Sequence, residues 1–407
     1  MKGTLCAALW TVLALGCGPS DFDVFEDDAS EVASGEEALT LPSTARAIAW
    51  PEASSEFRSN RLWNGGDSAA SVKLRDGRVL WLFADSFIDA SWPADGNRTT
   101  GGNWFLHNSV AVQSGNLDVS KGALAFTWNS NEKKWPSSFF PEESDGSWHW
   151  PVSAVAIDEG QVLVTSLRVR KGNNPEATGF NFEVMGTTAW ALDDTSAVDP
   201  KAWALRKLGF MAMYRGAWVG STLMATASNL YFYSRGAQGD LHVARVSRKV
   251  AKGLPAILLS KLSWRTPSGK FVPQSDSPVP AVIVSKVAPE LTVTWSAKLS
   301  RYVLAQVSGG SVFGTWLGEP QSPVQVTLQT SRSPSGPFSA QAVVYSIPKP
   351  KPVDGYERYS PFAYAARLHP EQSGADFVIT YNVNDVGTPG KPPDRATYFP
   401  FVLKLSL

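Results

Sequence analysis

The amino-acid sequence predicts an all-β protein and, more specifically, a five-bladed β-propeller. Helical periodicity is scarce after residue 45, and short runs rich in Val, Leu, Trp, Tyr, Phe and Thr alternate with clusters of Gly, Pro, Asn and Asp. The 407 residues include 28 prolines and 33 glycines, so turns are frequent. A pair of strand-like runs joined by a polar turn also recurs along the chain. Many short strands in a repeating order are typical of a propeller.

Each repeat is an apolar strand, a polar turn and a second strand of aromatic or aliphatic residues. Further strand-like pieces, such as Ser109–Gln113 and Leu241–Val246, fall between the repeats. The repeats cover residues 65–83, 150–167, 217–233, 290–305 and 362–381. Five units of about four strands each fit a five-bladed propeller, in which every blade packs on two neighbours. A pair of β-sandwiches with chance similarity is the alternative.

Composition indicates one large folded body. Hydrophobic residues make up 43% of the chain and aromatic residues 11%, which suffices for a sizeable core, and charged residues make up only 18%. No clean linker divides residues 45–407, so we predict a single propeller domain there.

The N-terminus has the pattern of an export signal. Lys2 precedes an apolar run from Leu5 to Leu15, which is too short to span a membrane. Ala14-Leu15-Gly16-Cys17 resembles a lipobox, with Ala14 where leucine is usual. The chain has 2 cysteines, and none follows Cys17. The sequence predicts a lipoprotein signal peptide over residues 1–17, lipidation of Cys17 and anchoring to the bacterial outer membrane or cell surface. An ordinary signal peptide with an incidental cysteine is the alternative.

The segment after the signal is predicted to be a flexible tether. Residues 18–44 contain eight acidic residues and no Lys or Arg, so the segment is expected to be solvated. The formal net charge of zero therefore hides a modest basic excess in the rest of the chain. Its basic residues are scattered, which argues against nucleic-acid binding.

The first repeat resembles a known family. Gly65-Gly66-Asp67, followed by Asp76-Gly77-Arg78 and then by the run Leu80-Trp81-Leu82-Phe83-Ala84-Asp85-Ser86-Phe87, is similar to the opening of the bacterial propellers called domain-of-unknown-function family 4185. Ala84 stands where that family usually has glycine. The motifs that follow in the family's order are Arg98, His107-Asn108-Ser109, Val243–Val246, Glu290, Ser331–Phe338, His369-Pro370-Glu371 and Thr380–Asn384.

The resemblance spans about residues 60–385 and implies a fold and an activity. Family 4185 is similar to the arabinanase-like five-bladed glycosidases. Some of its members are classed as endo-D-arabinanases, which cleave arabinofuranosyl polymers, and others have no assigned activity. The resemblance therefore implies a propeller and makes a glycosidase the leading hypothesis.

Three acidic residues are the candidate catalytic groups, because glycoside hydrolysis uses two carboxyl groups on either side of the bond. Asp67 opens the first strand of its hairpin and Asp85 closes the second. If Gly77 is left-handed in a three-residue turn, positions 67 and 85 pair directly. If the turn has two residues, position 67 pairs with 86 and the carboxylates diverge. Glu290 stands in the fourth repeat where Asp67 stands in the first. For each acid, a structural role in a turn or blade is the alternative.

Further side chains are candidates for contacting a sugar. Trp150 and Trp218 begin inner strands and have rings suited to stacking, although most tryptophans must fill the core between blades. The hydrogen-bonding candidates, each with a structural role as its alternative, are Arg98, His107, Asn108, Arg245, His369, Tyr381, Asn382 and Asn384. The four histidines have no metal-ligand spacing, so no metal and no cofactor is predicted, and an axial calcium is suggested by analogy alone.

These features predict a monomeric surface glycoside hydrolase that acts on a furanose-containing, arabinan-like polysaccharide. A non-catalytic carbohydrate-binding propeller on a lipid anchor is the first alternative, and a protein-interaction propeller is the second. No phosphate loop, dinucleotide motif or Ser-His-Asp order is present.

Overall fold

The structure is a computed structural model, and it describes residues 41–42, 44–89, 103–158, 160–173, 181–309, 323–349, 361–385 and 397–407. The predicted signal peptide, Cys17, most of the tether and Arg98 lie outside these residues. Among the described helices, none is both long and apolar enough to cross a membrane.

Short strands make up most of the described chain. The elements of the first part are β1 (Arg46–Ala49), α1 (Pro51–Glu56), β2 (Trp63–Gly66), β3 (Ala70–Lys73), β4 (Val79–Phe83), β5 (Ser86–Asp89), β6 (Asn103–Leu106), β7 (Ser109–Ser114), β8 (Ala123–Thr127), β9 (Asn129–Ser130), β10 (Pro136–Ser137), β11 (Trp148–Asp158), β12 (Gln161–Lys171), β13 (Phe182–Asp193) and β14 (Ala204–Ala212). The elements of the second part are β15 (Ala217–Ala225), β16 (Asn229–Gly236), β17 (Leu241–Ser247), α2 (Arg248–Ala251), β18 (Ser263–Arg265), β19 (Phe271–Pro273), β20 (Leu291–Ser296), β21 (Arg301–Ser308), β22 (Gln325–Ser331), β23 (Ala342–Ser346), β24 (Pro361–His369), β25 (Phe377–Asp385) and β26 (Pro400–Ser406). Three short 3₁₀ helices cover Pro200–Ala202, Ala256–Lys261 and Gln274–Asp276.

The strands form five antiparallel blades. Blade 1 is β3-β4-β7-β8, blade 2 is β11-β12-β13-β14, blade 3 is β15-β16-β17-β18-β19, blade 4 is β20-β21-β22-β23 and blade 5 is β24-β25-β26-β1. The first strand of each blade contacts the first strand of the next, and β24 contacts β3, so the inner strands form a ring. The five-bladed propeller predicted from the sequence is confirmed. Each predicted repeat corresponds to the two innermost strands of one blade.

Blade 5 closes the ring with strands from both parts of the chain. Its inner three strands come from the C-terminal part, and the outermost strand, β1, pairs with β26 in the register Arg46 with Ser406 to Ala49 with Leu403. A small separate sheet, β2-β5-β6, extends from blade 1 beside the inner strands.

The core lies between blades. One cluster of buried apolar side chains fills each of the five interfaces, so every blade is covered on two faces. Trp63 and Trp81 are fully buried between blades 5 and 1, and Trp264 is fully buried between blades 2 and 3. Large aromatic rings bury about 150–250 Å² each, which explains how flat sheets can pack without disulfides.

Candidate active site

The hairpin of blade 1 brings Asp67 and Asp85 together. The Leu74 N–H donates to the Arg78 carbonyl at 2.7 Å, and Gly77 has a φ of +86°. The turn is therefore the three-residue type with a left-handed glycine. At the other end of the hairpin the Asp67 N–H donates to the Asp85 carbonyl oxygen at 3.3 Å. The direct pairing of these two positions is confirmed, whereas their catalytic role stays a prediction.

The carboxyl group of Asp67 is held by two tyrosines. The hydroxyl groups of Tyr364 and Tyr398 donate to its Oδ2 atom at 2.7 and 2.9 Å. Its Oδ1 atom is buried and has no hydrogen-bond partner among the described residues. Burial raises the pKa of Asp67 well above its usual range, and the charges of Asp85 and Glu290 raise it further. Asp67 therefore tends to keep a proton where an exposed aspartate would have lost it.

Asp85 is bound by two donors from neighbouring strands. The Trp150 Nε1–H donates to its Oδ1 atom at 2.7 Å, and His107 Nδ1 lies 3.2 Å from the same atom. The His107 ring stacks on Trp148 with ring centres 4.4 Å apart. Burial raises the pKa of Asp85, and the hydrogen bonds from His107 and Trp150 oppose that rise. Asp67 and Asp85 thus lie in different electrostatic environments.

The third acid, Glu290, is paired with a buried arginine. Arg367 is 2% exposed and donates from Nη2 to Glu290 Oε2 at 2.8 Å. The same guanidinium donates to the Leu291 carbonyl at 2.8 Å and to Ser68 Oγ at 3.1 Å, which ties blade 5 to blades 4 and 1. Burial lowers the pKa of Arg367. The Glu290 carboxylate, held at the start of blade 4, lies close enough to Asp67 for its charge to raise the pKa of Asp67.

The backbone is strained directly after Asp67 and directly after Tyr364. Ser68 and Ala69 have φ values of +71° and +48°, and Ala365, which follows Tyr364 in the inner strand of blade 5, has a φ of +53°. A left-handed conformation costs a non-glycine residue about 1–2 kcal/mol. Such strain persists where surrounding packing enforces it, and it is concentrated at functional sites. Here it fixes the two strand segments that carry Asp67 and Tyr364.

Several predicted sugar-contacting residues lie beside these acids. His107 and Trp150 both reach Asp85. Trp218 packs in the same small cluster as Trp150, with the Arg235 guanidinium 5.1 Å from its ring centre. Asn382 is fully buried and donates from Nδ2 to the carbonyl of Gly66 at 3.2 Å, so it supports the backbone next to Asp67.

Three of the predicted sugar-contacting residues lie in structural positions, and their contact with a sugar stays a prediction. Asn108 is buried, and its amide binds only backbone groups of Phe140 and His149, at 2.7 to 3.0 Å, so its polar atoms are already used in holding two segments together. Arg245 lies on the third strand of blade 3, where its guanidinium stacks over the Phe271 ring at 4.0 Å. Tyr381 is 4% exposed and packs in the core between blades 4 and 5.

Two weaker candidates also lie in structural positions. His369 is 1% exposed, and its Nδ1 and Nε2 atoms lie 2.5 and 2.8 Å from Ser71 Oγ and Thr380 Oγ1. Burial lowers its pKa to about 3, so it stays neutral. Asn384 is 7% exposed and lies on β25 opposite Phe362 of the inner strand. Arg98 falls outside the described residues.

The residues predicted from the sequence did not include Tyr364, Tyr398 or Arg367. Arg367 does leave a sequence signal, because it is a lone charge within the apolar run Phe362–Leu368 and a buried arginine requires an acidic partner. Tyr398 gives no comparable signal. Within the described ranges no group of three or more His, Cys, Asp or Glu residues is arranged to hold a metal ion.

Residues 54–399 match the family described as a domain of unknown function, DUF5005. The chain belongs to this family. The family model that matches is DUF5005, and the resemblance of the first repeat to family 4185 stays a prediction. No curated protein matches the sequence of this DUF5005 chain.

Solved structures resemble the DUF5005 chain in fold. A Bacteroides ovatus ATCC 8483 protein, to which a hydrolase activity has been ascribed, is 18% identical over 91% of this chain and 93% of its own, with a TM-score of 0.65. An α-L-arabinofuranosidase from Lactobacillus brevis is 10% identical over 85% and 92% of the two chains, with a TM-score of 0.44. An endo-1,5-α-L-arabinanase from Thermotoga petrophila RKU-1 is 11% identical over 85% and 71%, with a TM-score of 0.43.

Proposed function

We propose that this DUF5005 chain is a glycoside hydrolase and that Asp67 and Asp85 are its essential carboxyl pair. The observation that carries the proposal is their placement side by side at one end of the ring of inner strands, in unequal environments. Glycoside hydrolysis needs one carboxyl group that donates a proton and a second that attacks the sugar or activates water. Unequal pKa values divide these two roles between neighbouring acids.

The geometry favours Asp67 as the proton donor. Burial and two neighbouring acids raise the pKa of Asp67 well above its usual range, whereas the rise that burial causes in the pKa of Asp85 is opposed by His107 and Trp150. In this assignment Asp67 gives its proton to the leaving glycosidic oxygen as the bond to the sugar carbon breaks. Asp85 acts as the nucleophile or as the base that takes a proton from water. Glu290 is paired with Arg367, and its charge raises the pKa of Asp67.

The proposed substrate is a furanose-containing polysaccharide of the arabinan type. The motif resemblance to family 4185 and to arabinanase-like glycosidases supports this substrate class, and a relationship with family 4185 is part of the proposal. His107, Trp150 and Trp218 supply ring faces and polar atoms next to the acids, which suits a ligand rich in hydroxyl groups.

The test begins with a panel of cell-wall and plant polysaccharides, arabinans included, and analysis of the oligosaccharides released. On any substrate that the parent cleaves, Asp67→Asn and Asp85→Asn should each lower turnover by at least about a hundredfold, the scale of general acid–base catalysis. Asp276→Asn is the matched control, because Asp276 is exposed on a 3₁₀ turn at the edge of blade 3. Circular dichroism should show all three variants folded.

Two outcomes would overturn parts of this proposal. Near-parental activity in both Asp67→Asn and Asp85→Asn would remove the pair from catalysis, and loss in Glu290→Gln alone would move the essential acid to blade 4. Tight binding of a glycan that is never cleaved would instead support the carbohydrate-binding alternative.

We also propose that the protein is exported and lipidated at Cys17. The short apolar run ending in Gly16-Cys17 and the absence of cysteine from the following sequence support this proposal. Globomycin should cause the precursor to accumulate, and Cys17→Ser should release the protein from the membrane fraction. Unchanged membrane partitioning of Cys17→Ser would contradict the anchor.

A further inference from the structure

Two tyrosines from blade 5 converge on a single oxygen of Asp67. Tyr364 lies on the inner strand β24, and Tyr398 lies just before the third strand, β26. Both hydroxyl groups donate to Oδ2, at 2.7 and 2.9 Å. Since Oδ2 already accepts two hydrogen bonds, a proton on Asp67 belongs on Oδ1, the buried oxygen without a partner among the described residues.

We infer that Tyr364 and Tyr398 are positioning residues that hold Asp67 by Oδ2 and set the pH at which it ionises. The inference rests on the proposed function only where it concerns turnover. Its physical basis is that a hydrogen bond donated to a carboxylate stabilises the ionised form over the neutral one. The two donors therefore oppose burial and the charges of Asp85 and Glu290.

The arrangement suits an acid that must release its proton as well as hold it. When Asp67 gives up the proton from Oδ1, negative charge spreads over both carboxyl oxygens. The two tyrosine hydroxyls are already in place on Oδ2 to receive part of that charge, so no reorganisation is needed at the moment of transfer. Both tyrosines remain neutral, because burial and the charge of Asp67 raise their pKa values well above the usual range.

The backbone keeps the tyrosines in register with the acid. A bulge interrupts the pairing of β24 with β25 between Tyr364 and Arg367, and the left-handed Ala365 lies within it. Tyr398 is 3% exposed, with the Phe87 ring packed edge-on against it at 5.3 Å. Packing therefore holds the Tyr398 ring against Asp67, and the bulge sets the backbone position from which Tyr364 reaches the same oxygen.

The test measures the ionisation of Asp67 directly. The purified protein is labelled with ¹³C at the aspartate side-chain carboxyl carbons, and the Asp67 signal is assigned by its disappearance in Asp67→Asn. Tyr364→Phe and Tyr398→Phe should each move the Asp67 titration to higher pH, and the double variant should move it further. The control is Tyr214→Phe, which removes a hydroxyl that donates to the Pro278 carbonyl at 2.8 Å in blade 3.

Turnover is measured separately from the titration of Asp67. If a substrate is found, each tyrosine variant should lose about tenfold to a hundredfold in turnover, as expected for a hydrogen bond to a charged group, and the limb of its pH–rate profile that reports Asp67 should move upward. A titration that moves without any cleaved glycan would keep this inference and reject the hydrolase proposal. An Asp67 signal that does not titrate, or one that the tyrosine variants leave unchanged, would overturn the inference. If Tyr398→Phe fails to fold, the test rests on Tyr364→Phe alone, because Tyr364 is partly exposed and its substitution disturbs the core less.

Discussion

Glu371 is a buried acid outside the candidate site. Its side chain is 7% exposed, it accepts a hydrogen bond from Ser71 Oγ, and its Oε1 atom lies 3.8 Å from His369 Nδ1. Burial raises its pKa from 4.5 to about 7. Between those values the folded chain holds a proton that the unfolded chain has released, so this group makes folding less favourable as the pH rises.

Glu371→Gln should therefore change how stability depends on pH. Glutamine keeps the oxygen that accepts from Ser71 and removes the ionisation. The melting temperature of the variant relative to the parent should increase from pH 5 to pH 7 and then level off, because the penalty is complete above the pKa of about 7. Thermal unfolding, monitored by circular dichroism across this pH range, measures the difference in melting temperature. Glu52→Gln, at an exposed position of α1, is the control and should show no such trend.

At the residue scale, local geometry could be predicted from the sequence and long-range contacts could not. The pairing of Asp67 with Asp85 depends on a turn of a few residues, so Asp76-Gly77 was enough to propose it. The contacts of Tyr364 and Tyr398 with Asp67 join positions about 300 residues apart. The structural contacts of Asn108 and Tyr381 were not predictable either, because a polar side chain has the same sequence signature whether it faces a ligand or lies buried in the fold.

At the scale of elements, the hairpin depends on the small volume of Gly66. A Cβ atom added there would lie 2.7 Å from Trp63 Cζ2, 2.9 Å from Ser86 Oγ and 3.3 Å from the Asp85 carbonyl oxygen. Trp63 is fully buried and cannot move away cheaply. The close approach of β2 and β5 next to both acids thus requires a glycine at this position.

Gly66→Ala should lower both stability and activity. Overpacking of this kind costs about 1–3 kcal/mol of the free energy of unfolding, and the displaced strand would move Asp85 relative to Asp67. Denaturant unfolding and turnover on an identified substrate measure the two effects. In the control Gly236→Ala, the nearest neighbour of the new Cβ lies 3.5 Å away, an ordinary contact. Equal behaviour of the two variants would contradict the role given to Gly66.

At the scale of the whole molecule, β1 is the strand that closes the ring. Its four residues pair with β26, and Ala45 and Ala47 belong to the core between blades 4 and 5. Without this strand, β26 would become an open edge and part of that core would be exposed. Contacts between neighbouring blades carry most of the core, so a loss at one interface should affect the whole ring.

A chain starting at Trp50 should therefore unfold at a markedly lower temperature and tend to aggregate. Calorimetry and light scattering on the purified protein measure these changes. A shorter truncation that removes only residues 18–40 leaves every described element intact and should keep the parental melting temperature. An equally stable chain without β1 would show that the ring does not depend on this closure.

The blade count was predictable because the two innermost strands of a blade are its most regular part. They are apolar, joined by short turns and repeated five times, so their spacing survives in the sequence. Some outer strands are short and partly exposed, such as β18 and β19 with three residues each, and their pattern is weak. The pairing of β1 with β26 could not be predicted from local sequence, because the two strands lie at opposite ends of the folded chain.

The direction of β1 also determines the side on which a preceding tether would join the propeller. Pro400 of β26 pairs with Asn382, close to Asp67, and β26 runs from there towards Ser406, the partner of Arg46. The antiparallel β1 therefore enters the ring from the side away from the carboxyl groups. A tether joined to Arg46 would hold the propeller from behind. If Cys17 is the point of attachment, the tether would join on the opposite side from the mouth of the ring and leave it uncovered for polymers arriving from the surroundings.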